Sequence, residues 1–519
     1  MKGSPFDWAT ALKQLDLGTA THCVDVDPGI HLQTKWPGPK NMVFPFSAFK
    51  SGHVLDKMTE HVWTYMPEDA AAFVNDHICN FPEGLSFGSM CSGSGMDHAA
   101  ALSLENVLHG LGIKTKFICV FQCEKEAEKR RWLARHCRDG DDPCMYTDVR
   151  HMTQRKCTGV CDTHKRACHI PSSDVLFAGT SCKDFSRFNQ SRSSSERMNL
   201  LENCLSGKGK GQQSTSFETF IAAYTHIQVF KPSVVFLENS DGILDTDKAN
   251  VAGARSNVEV VLQFLADLGY EAQSFIATGT DFACPQKRTR FWVIAVLLDS
   301  PYWAPDVDFD DLFNRIQNRL RDMKLKAPRF RDCLLKCEHS YVTSELQRRL
   351  KVRQNKKEGE GKTPTWPRAH QEFCAANGMR WPPAEFPSFA ASDWVPTLTD
   401  RERGVARMLQ RQLGQFTTVD VSQEMGFVRS VAEDQHALPT MLPNTQLFAH
   451  LPEQKKGDKI VAHAVSRSIT GLELLRIQGF PVFPSDDCMK GDDRFSDLTC
   501  GHRAITKQED AMNIVHTLH

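Results

Sequence analysis

The stretch Leu85-Ser86-Phe87-Gly88-Ser89-Met90-Cys91-Ser92-Gly93-Ser94-Gly95 decides how this chain is read. Its first six residues are strand-like and its last five are small. The residues that follow place Ala99, Leu102, Leu104, Val107, Leu108 and Leu111 on or near one helical face. A strand, a glycine turn and an amphipathic helix in that order open a sheet with crossover helices. The pattern recurs downstream. Phe117 to Cys123 reads as a second strand ending at Glu124, and further strands fit Asp174 to Ala178, Ser233 to Leu237 and Arg290 to Leu298. Helices fit Phe217 to Val229 and Val258 to Leu268, the latter stopped by Gly269. The predicted fold is α/β: a Rossmann-like, mostly parallel sheet with helices on both faces and a smaller inserted domain.

A chain of 519 residues exceeds one ordinary core. Lys+Arg 62 against Asp+Glu 63 leaves a formal net charge of -1, so any polyanion must be held by a local patch. A hydrophobic content of 41% with 24% charged residues is that of a globular protein, not a disordered one. No window approaches the roughly eighteen apolar residues of a membrane span; the best run, Phe291 to Leu298, is strand-length. Met1 to Leu17 carries Asp7, Lys13 and Asp16 and lacks a secretory apolar core. Eighteen cysteines without dense regular spacing fit a reducing intracellular compartment, and the expected location is the nucleus, with the cytoplasm as alternative.

Four domains are expected: an N-terminal extension (1–80), a catalytic domain (81–299), an insert (300–460) and a C-terminal segment returning to the catalytic domain (461–519). Ser186 to Ser216 is a Ser-, Gly-, Lys- and Arg-rich loop directly after a strand, where function-bearing loops sit. The insert carries many prolines and a basic stretch with Arg348, Arg349, Lys351, Arg353, Lys356 and Lys357.

The strand ends carry the chemistry. Cys91, Ser92, Gly93, Ser94 and Gly95 place backbone N–H groups and a helix N-terminus where an adenosyl or phosphate group can approach, although small residues after a strand are commonly plain tight turns. Glu124 is placed to accept from ribose hydroxyls, or simply to favour the next helix N-terminus. Cys182, in Gly179-Thr180-Ser181-Cys182-Lys183-Asp184-Phe185-Ser186, puts a thiol at the carboxyl edge of the sheet, a position that sets it apart from packing cysteines. Glu238 and Asn239 end another strand, where an acid beside buried residues could keep a raised pKa and donate a proton, or merely cap the following turn. Gln286, Arg288 and Arg290 alternate, so the two arginines share one strand face.

These strand ends together resemble the S-adenosylmethionine-dependent cytosine-C5 methyltransferases, over roughly Leu85 to Val296 and again from Ser466 onward. The resemblance implies a class I methyltransferase fold with a target-recognition insert. It makes Cys91 to Gly95 the cofactor loop, Glu124 the ribose acid, Asp148 and Val149 the pair beside the adenine, and Thr180 part of the nucleophile motif at the cofactor side. It makes Cys182 the nucleophile, Glu238 the acid, and Arg288 and Arg290 the arginines that hold the base. Arg467 to Pro481 resembles the late helix that packs the second domain on the first. The family's Pro and Gln beside the nucleophile are here Ser181 and Lys183, which implies a less restricted backbone and slower turnover. Cys91 stands where the family has an aromatic. The Gly-Asn-Ala element is not matched at Ala511-Met512-Asn513.

The implied substrate is a cytosine flipped out of double-stranded DNA, with Arg187, Arg192, Lys208 and Lys210 in a closing lid. Transfer RNA is the rival substrate, and a non-catalytic nucleic-acid-binding relative the rival class; joint retention of Cys182, Glu238, Arg288 and Arg290 speaks for catalysis. Separately, Cys157, Cys161, His164, Cys168 and His169 offer soft ligands, but Cys-x3-Cys without a paired second half is read as a thiol-rich surface insertion, and no metal ligand is assigned.

Overall fold

The computed structural model describes residues 84–110, 115–136, 142–155, 159–186, 197–205, 214–245, 255–300, 307–322, 324, 327–355, 365–425, 430–432, 437–441, 445–456 and 459–478. The expected N-terminal extension, Leu111, Cys157, the lid residues Arg187, Arg192, Lys208 and Lys210, Lys356, Lys357, and the chain from Gly479 through Ala511-Met512-Asn513 lie outside the described residues.

The opening unit folds as β1 (Leu85–Met90), the Cys91–Gly95 turn and α1 (Met96–Gly110), followed by β2 (Phe117–Cys123), α2 (Ala127–His136) and β3 (Cys144–Tyr146). Then come β4 (Val175–Gly179), α3 (Thr215–Phe230), β5 (Val234–Ser240), α4 (Asn257–Asp267), β6 (Tyr270–Thr278), β7 (Gln286–Lys287) and β8 (Thr289–Leu297). The strands form a seven-stranded sheet in the order β3-β2-β1-β4-β5-β8-β6. β1 to β5 run parallel; β8 is antiparallel to both β5 and β6.

The expected α/β architecture is present, with β3 and β6 as strands that sequence reading left out. Buried parallel strands carry apolar residues on both faces, and the period of two sorts them. Leu176, Ala178, Val235 and Leu237 join one core with Phe217, Phe220 and Phe264 of α3 and α4. Phe87, Phe117, Val175, Phe177 and Phe236 form the opposite face with Ala101 and Leu104 of α1. Helix α5 (Phe309–Asp322) also packs on the sheet, Phe313 meeting Ile294 and Val296, so the sheet layer extends past the boundary expected at residue 299.

Beyond α5, helices α6 (Ser340–Asn355), α7 (Trp366–Ala376) and α8 (Asp400–Leu413) share a separate core with β9 (Thr417–Asp420) and β12 (Leu447–Leu451). With β10 (Ser430–Ala432) and β13 (Val465–Ser468), these strands make a four-stranded sheet in the order β10-β9-β12-β13. A short parallel pair ties this region to the large sheet: β11 (Leu438–Pro439) runs beside β7, with Leu438 opposite Gln286. Helix α9 (Gly471–Ile477) completes the described chain. Leu472, Leu474 and Leu475 of α9 share a cluster with Trp132 and Leu133 of α2 and Phe330 and Leu447 of the insert.

Two charges of the insert's basic stretch are used inside the fold. Arg348 and Arg349 both pair with the buried Glu345, at 2.7 Å each, and the Arg349 guanidinium stacks over Trp394. These two charges are internal countercharges for one buried carboxylate. No helix among the described residues is long and apolar enough to cross a membrane.

Candidate active site

In the order β3-β2-β1-β4-β5, the progression of strands across the sheet reverses between the parallel neighbours β1 and β4, so the segments leaving these strands diverge and open a crevice at their carboxyl ends. The β1 segment is the small-residue turn. Cys91, Gly93 and Gly95 all have positive φ (56°, 56° and 75°), and Cys91 is the one of these that carries a side chain in the left-handed region. A Cβ at Gly95 would lie 2.6 Å from Leu133 Cδ2, so glycine lets α2 approach. Trp132 Nε1 donates to Ser94 O at 3.0 Å and Ser92 N to Cys123 O at 2.9 Å, which fixes the turn against β2 and α2.

Glu124, buried just past β2, accepts from Gly93 N–H at 2.9 Å through Oε2 and from Glu126 N–H at 3.0 Å through Oε1. Each carboxylate oxygen keeps a second lone pair for a further donor. Asp148 and Val149 lie off the wall of the crevice. The Asp148 side chain caps its own short 3-10 helix by accepting from Arg150 N–H and is held bidentately by the Arg150 guanidinium.

From β4 the chain enters the Cys182 loop. Ideal Cβ placement at Gly179 falls 3.6 Å from both Cys91 O and Glu238 Oε2, so this glycine sits where the turn, the loop and the acid converge. Thr180 accepts from Asn239 Nδ2 through its hydroxyl at 2.9 Å and its carbonyl at 3.2 Å. Asn239 is thereby a positioning residue for the loop. Ser181 N–H donates to Thr219 Oγ1, and Asp184 accepts from Ser214 Oγ and Ser216 N–H, so the loop is sewn to the first turn of α3. The Cys182 carbonyl accepts from Phe185 and Ser186 N–H, and buried Phe185 anchors the turn.

Glu238, at the end of β5, pairs with Arg290 across the β5–β8 ladder, Nε to Oε1 at 2.7 Å. The acid therefore sits beside a countercharge as well as beside the buried residues of its strand. Burial, with Arg290 beside it, brings the Arg288 guanidinium down to about 10. Cys182 is partly buried and lies close enough to Arg290, Glu238 and Arg288 for their charges to act on its sulfur. Burial pushes its thiol above the ordinary range; Arg290 draws it back down, Glu238 pushes it up, and Arg288 draws it down. Cys91 is pushed up to about 12 by burial and then by Glu124 and Asp148.

The sign of the Cys182 shift makes a prediction. A raised pKa means thiol, not thiolate, near neutrality, so alkylation of Cys182 should speed up about tenfold per pH unit from about pH 7 to about pH 9. Iodoacetamide labelling followed by peptide mass measures this. Arg290→Gln should slow it at every pH, and a flat profile would mean a preformed thiolate.

Cys91, Gly93, Glu238, Arg288 and Arg290 line one cavity of about 430 Å³, which Thr180 and Cys182 border without lining. Its wall includes three buried polar atoms with no protein partner: Asp97 Oδ1, Gln286 Nε2 and Gln478 Nε2. Sequence reading passed over Asp97, because an acid in a first helical turn is ordinary, and over Gln478, which only α9 carries to the cavity. Burial raises the Asp97 carboxyl, an effect that a cationic ligand group would oppose.

Residues 115–485 match the profile of the C-5 cytosine-specific DNA methylase, well over half of the chain. The chain belongs to this family. Among curated relatives, the type II methyltransferase M.MspI of Moraxella is 30% identical over 26% of this chain and 27% of its own length. M.HhaI of Haemophilus parahaemolyticus is 29% identical over 24% of this chain and 31% of its own. The DNA (cytosine-5-)-methyltransferase DMT5 of Cryptococcus neoformans is 22% identical over 46% of this chain and 8% of its own. The chain thus spans at most about a third of the length of these relatives. Among solved structures, the Dnmt2 methyltransferase of S. pombe aligns over 51% of this chain and 65% of its own, at 16% identity and a TM-score of 0.29. Membership in the C-5 cytosine methylase family accords with the resemblance drawn from the strand ends.

Proposed function

We infer that this member of the C-5 cytosine methylase family methylates C5 of cytosine in DNA, through a covalent bond between Cys182 and C6 of the base. One observation carries the reading: the loop after β4 brings Cys182 to the Glu238–Arg290 ion pair, at the rim of a cavity whose other wall is the Cys91–Ser94 turn, with Glu124 bonded to Gly93 N–H but not itself lining the cavity.

The methyl donor of the family, S-adenosylmethionine, supplies an electrophilic methyl group on a sulfonium. The residues present fit it. Glu124 keeps acceptor capacity for ribose hydroxyls. The Cys91–Gly95 turn leaves room for close approach at its glycines, and Asp97 Oδ1 is a buried acceptor with no protein partner for an ammonium.

The chain's own part begins with the base. Cytosine C5 is a weak nucleophile, and addition of the Cys182 sulfur at C6 pushes electron density onto C5. The charge that this creates on the ring is taken up at N3 by Glu238 and at O2 by Arg290, with Arg288 buried behind it. C5, so activated, accepts the methyl group, the electron pair of the broken methyl–sulfur bond staying on the donor. The C5 proton then leaves to solvent, its electron pair restores the C5–C6 double bond, and the C6–S bond breaks to release Cys182 as a thiolate. Ring edges and C6 are shielded in a duplex, so the base must leave the stack to reach the thiol. On this reading the region after α5, tied to β7 through β11, selects the target, and the nucleus or another DNA-bearing compartment is the place of action.

Incubation of the full chain with the donor and a duplex bearing 5-fluorocytosine tests the reading. Fluorine at C5 blocks the elimination, so a denaturation-resistant protein–DNA adduct through the Cys182 peptide is expected. Capture on 5-fluorocytosine RNA but not on DNA would move the substrate to RNA. No adduct on either would remove the covalent mechanism.

A further inference from the structure

We propose that Cys144, Cys161, His164 and Cys168 bind one zinc ion as a closed, structural site, independent of the reaction above. His164 Nδ1 lies 3.6 Å from Cys144 Sγ, 3.4 Å from Cys161 Sγ and 3.5 Å from Cys168 Sγ, and all four ligand atoms fall within 4.8 Å of one another. Hydrogen bonding does not explain this arrangement, because one ring nitrogen offers a single proton or a single lone pair and cannot serve three thiols. A tetrahedral zinc with Zn–S of about 2.3 Å and Zn–N of about 2.0 Å has N···S edges of about 3.5 Å, the spacing seen for all three sulfurs. On the far side of the ring, His164 Nε2 is 3.1 Å from Asp142 Oδ2. A carboxylate there fixes the tautomer that leaves Nδ1 free to bind metal. Three thiolates and an imidazole select zinc over the hard cations magnesium and calcium, and a full set of four ligands leaves no open position for catalysis.

The local fold is built to assemble this set. Cys161 N–H donates to Arg166 O and Lys165 N–H to Cys161 O, closing a tight turn in which Lys165 has φ of 56°. Asp162 N–H donates to Met145 O, and Thr163 Oγ1 to Pro143 O, both at 2.8 Å. These two bonds dock the turn on β3 and bring Cys144 to the other three ligands. The ligand pattern is thus a Cys-x2-His-x3-Cys turn plus one remote cysteine. His169, weighed from the sequence, contributes its carbonyl to Tyr146 OH. The turn is also linked to Glu124: Asp162 pairs with Arg130, whose guanidinium donates to Glu124 O. An ion here would brace β3 and the Glu124 corner from outside the sheet.

Purified full-length protein from zinc-supplemented medium should carry one zinc per chain by elemental mass spectrometry after gel filtration. Cobalt exchanged into it should show tetrahedral d–d absorption with thiolate charge-transfer bands. Chelation should expose Cys144, Cys161 and Cys168 to iodoacetamide while Cys119 and Cys204, buried elsewhere, keep their labelling. Cys144→Ser with Cys161→Ser should drop the zinc from one equivalent to none; should that variant not fold, the wild-type readouts decide alone. Folded, metal-free wild-type protein would overturn the site, as would labelling that chelation leaves unchanged or zinc retained in the double variant.

Discussion

Cys182→Ser is expected to lower methyl transfer to duplex DNA by at least about 10³-fold, since the hydroxyl is a far poorer nucleophile at C6 and burial pushes the other two thiols of the cavity wall, Cys91 and Cys284, up to about 12 and about 11. Donor affinity should stay within about twofold, because the Gly93–Glu124 turn belongs to β1 and β2 and none of its hydrogen bonds involves the Cys182 side chain. Folding should be equally untouched, for none of the hydrogen bonds described for this loop uses the Cys182 side chain. Labelled-donor transfer, equilibrium donor binding and thermal unfolding on the same preparation separate these effects. Transfer in the serine variant within about tenfold of wild type would rule out catalysis through this sulfur.

The second large effect concerns a buried ion pair that lines no part of the cavity. Arg467 and Glu473 are fully buried and paired bidentately, Nη1 to Oε2 at 2.8 Å and Nη2 to Oε1 at 2.6 Å. Glu473 also accepts from Leu335 N–H and from Thr470 N–H and Oγ1, while Arg467 donates to Leu335 O. Burial alone would raise the Glu473 carboxyl; Arg467 and these donors hold it below the ordinary range. Glu473→Gln leaves a buried guanidinium without its countercharge and should cost about 3–5 kcal/mol. Arg467→Met with Glu473→Leu should recover much of that loss, because an apolar pair needs no desolvation. Urea unfolding of the two variants measures both. Since the folded-state pKa is lowered, the pair's contribution is complete above the ordinary carboxyl range and is lost as pH falls through the folded value. A wild-type-like midpoint for Glu473→Gln would show that the pair does not clamp α9 to the insert.

Much of the site was legible because its signals are local. Strand, glycine turn and helix follow one another along the chain, and Glu124, Cys182 and Glu238 each lie at or just beyond the end of an apolar run, where a parallel sheet presents its side chains. The pairing of Arg348 and Arg349 with Glu345 was equally local, three and four residues apart on one helix, and was overlooked by counting positive charges alone. At Asp148 the local fold adds what motif position does not carry: its carboxylate is bound by Arg150 two residues on.

Residue order by itself determined the α/β class and the crevice-facing strand ends, since these follow from hydrophobic period and from what stands next to it in the chain; it offered Cys182 as the candidate nucleophile through its place at a strand end and the family resemblance. Only the tertiary structure decided that Glu238 meets Arg290 and that Gln478 reaches the cavity. The same holds for Cys144, which joins a turn formed from Cys161 to Cys168. Each is a contact between segments distant in sequence, made by sheet order and strand register, and a linear pattern carries no record of which strand lies beside which.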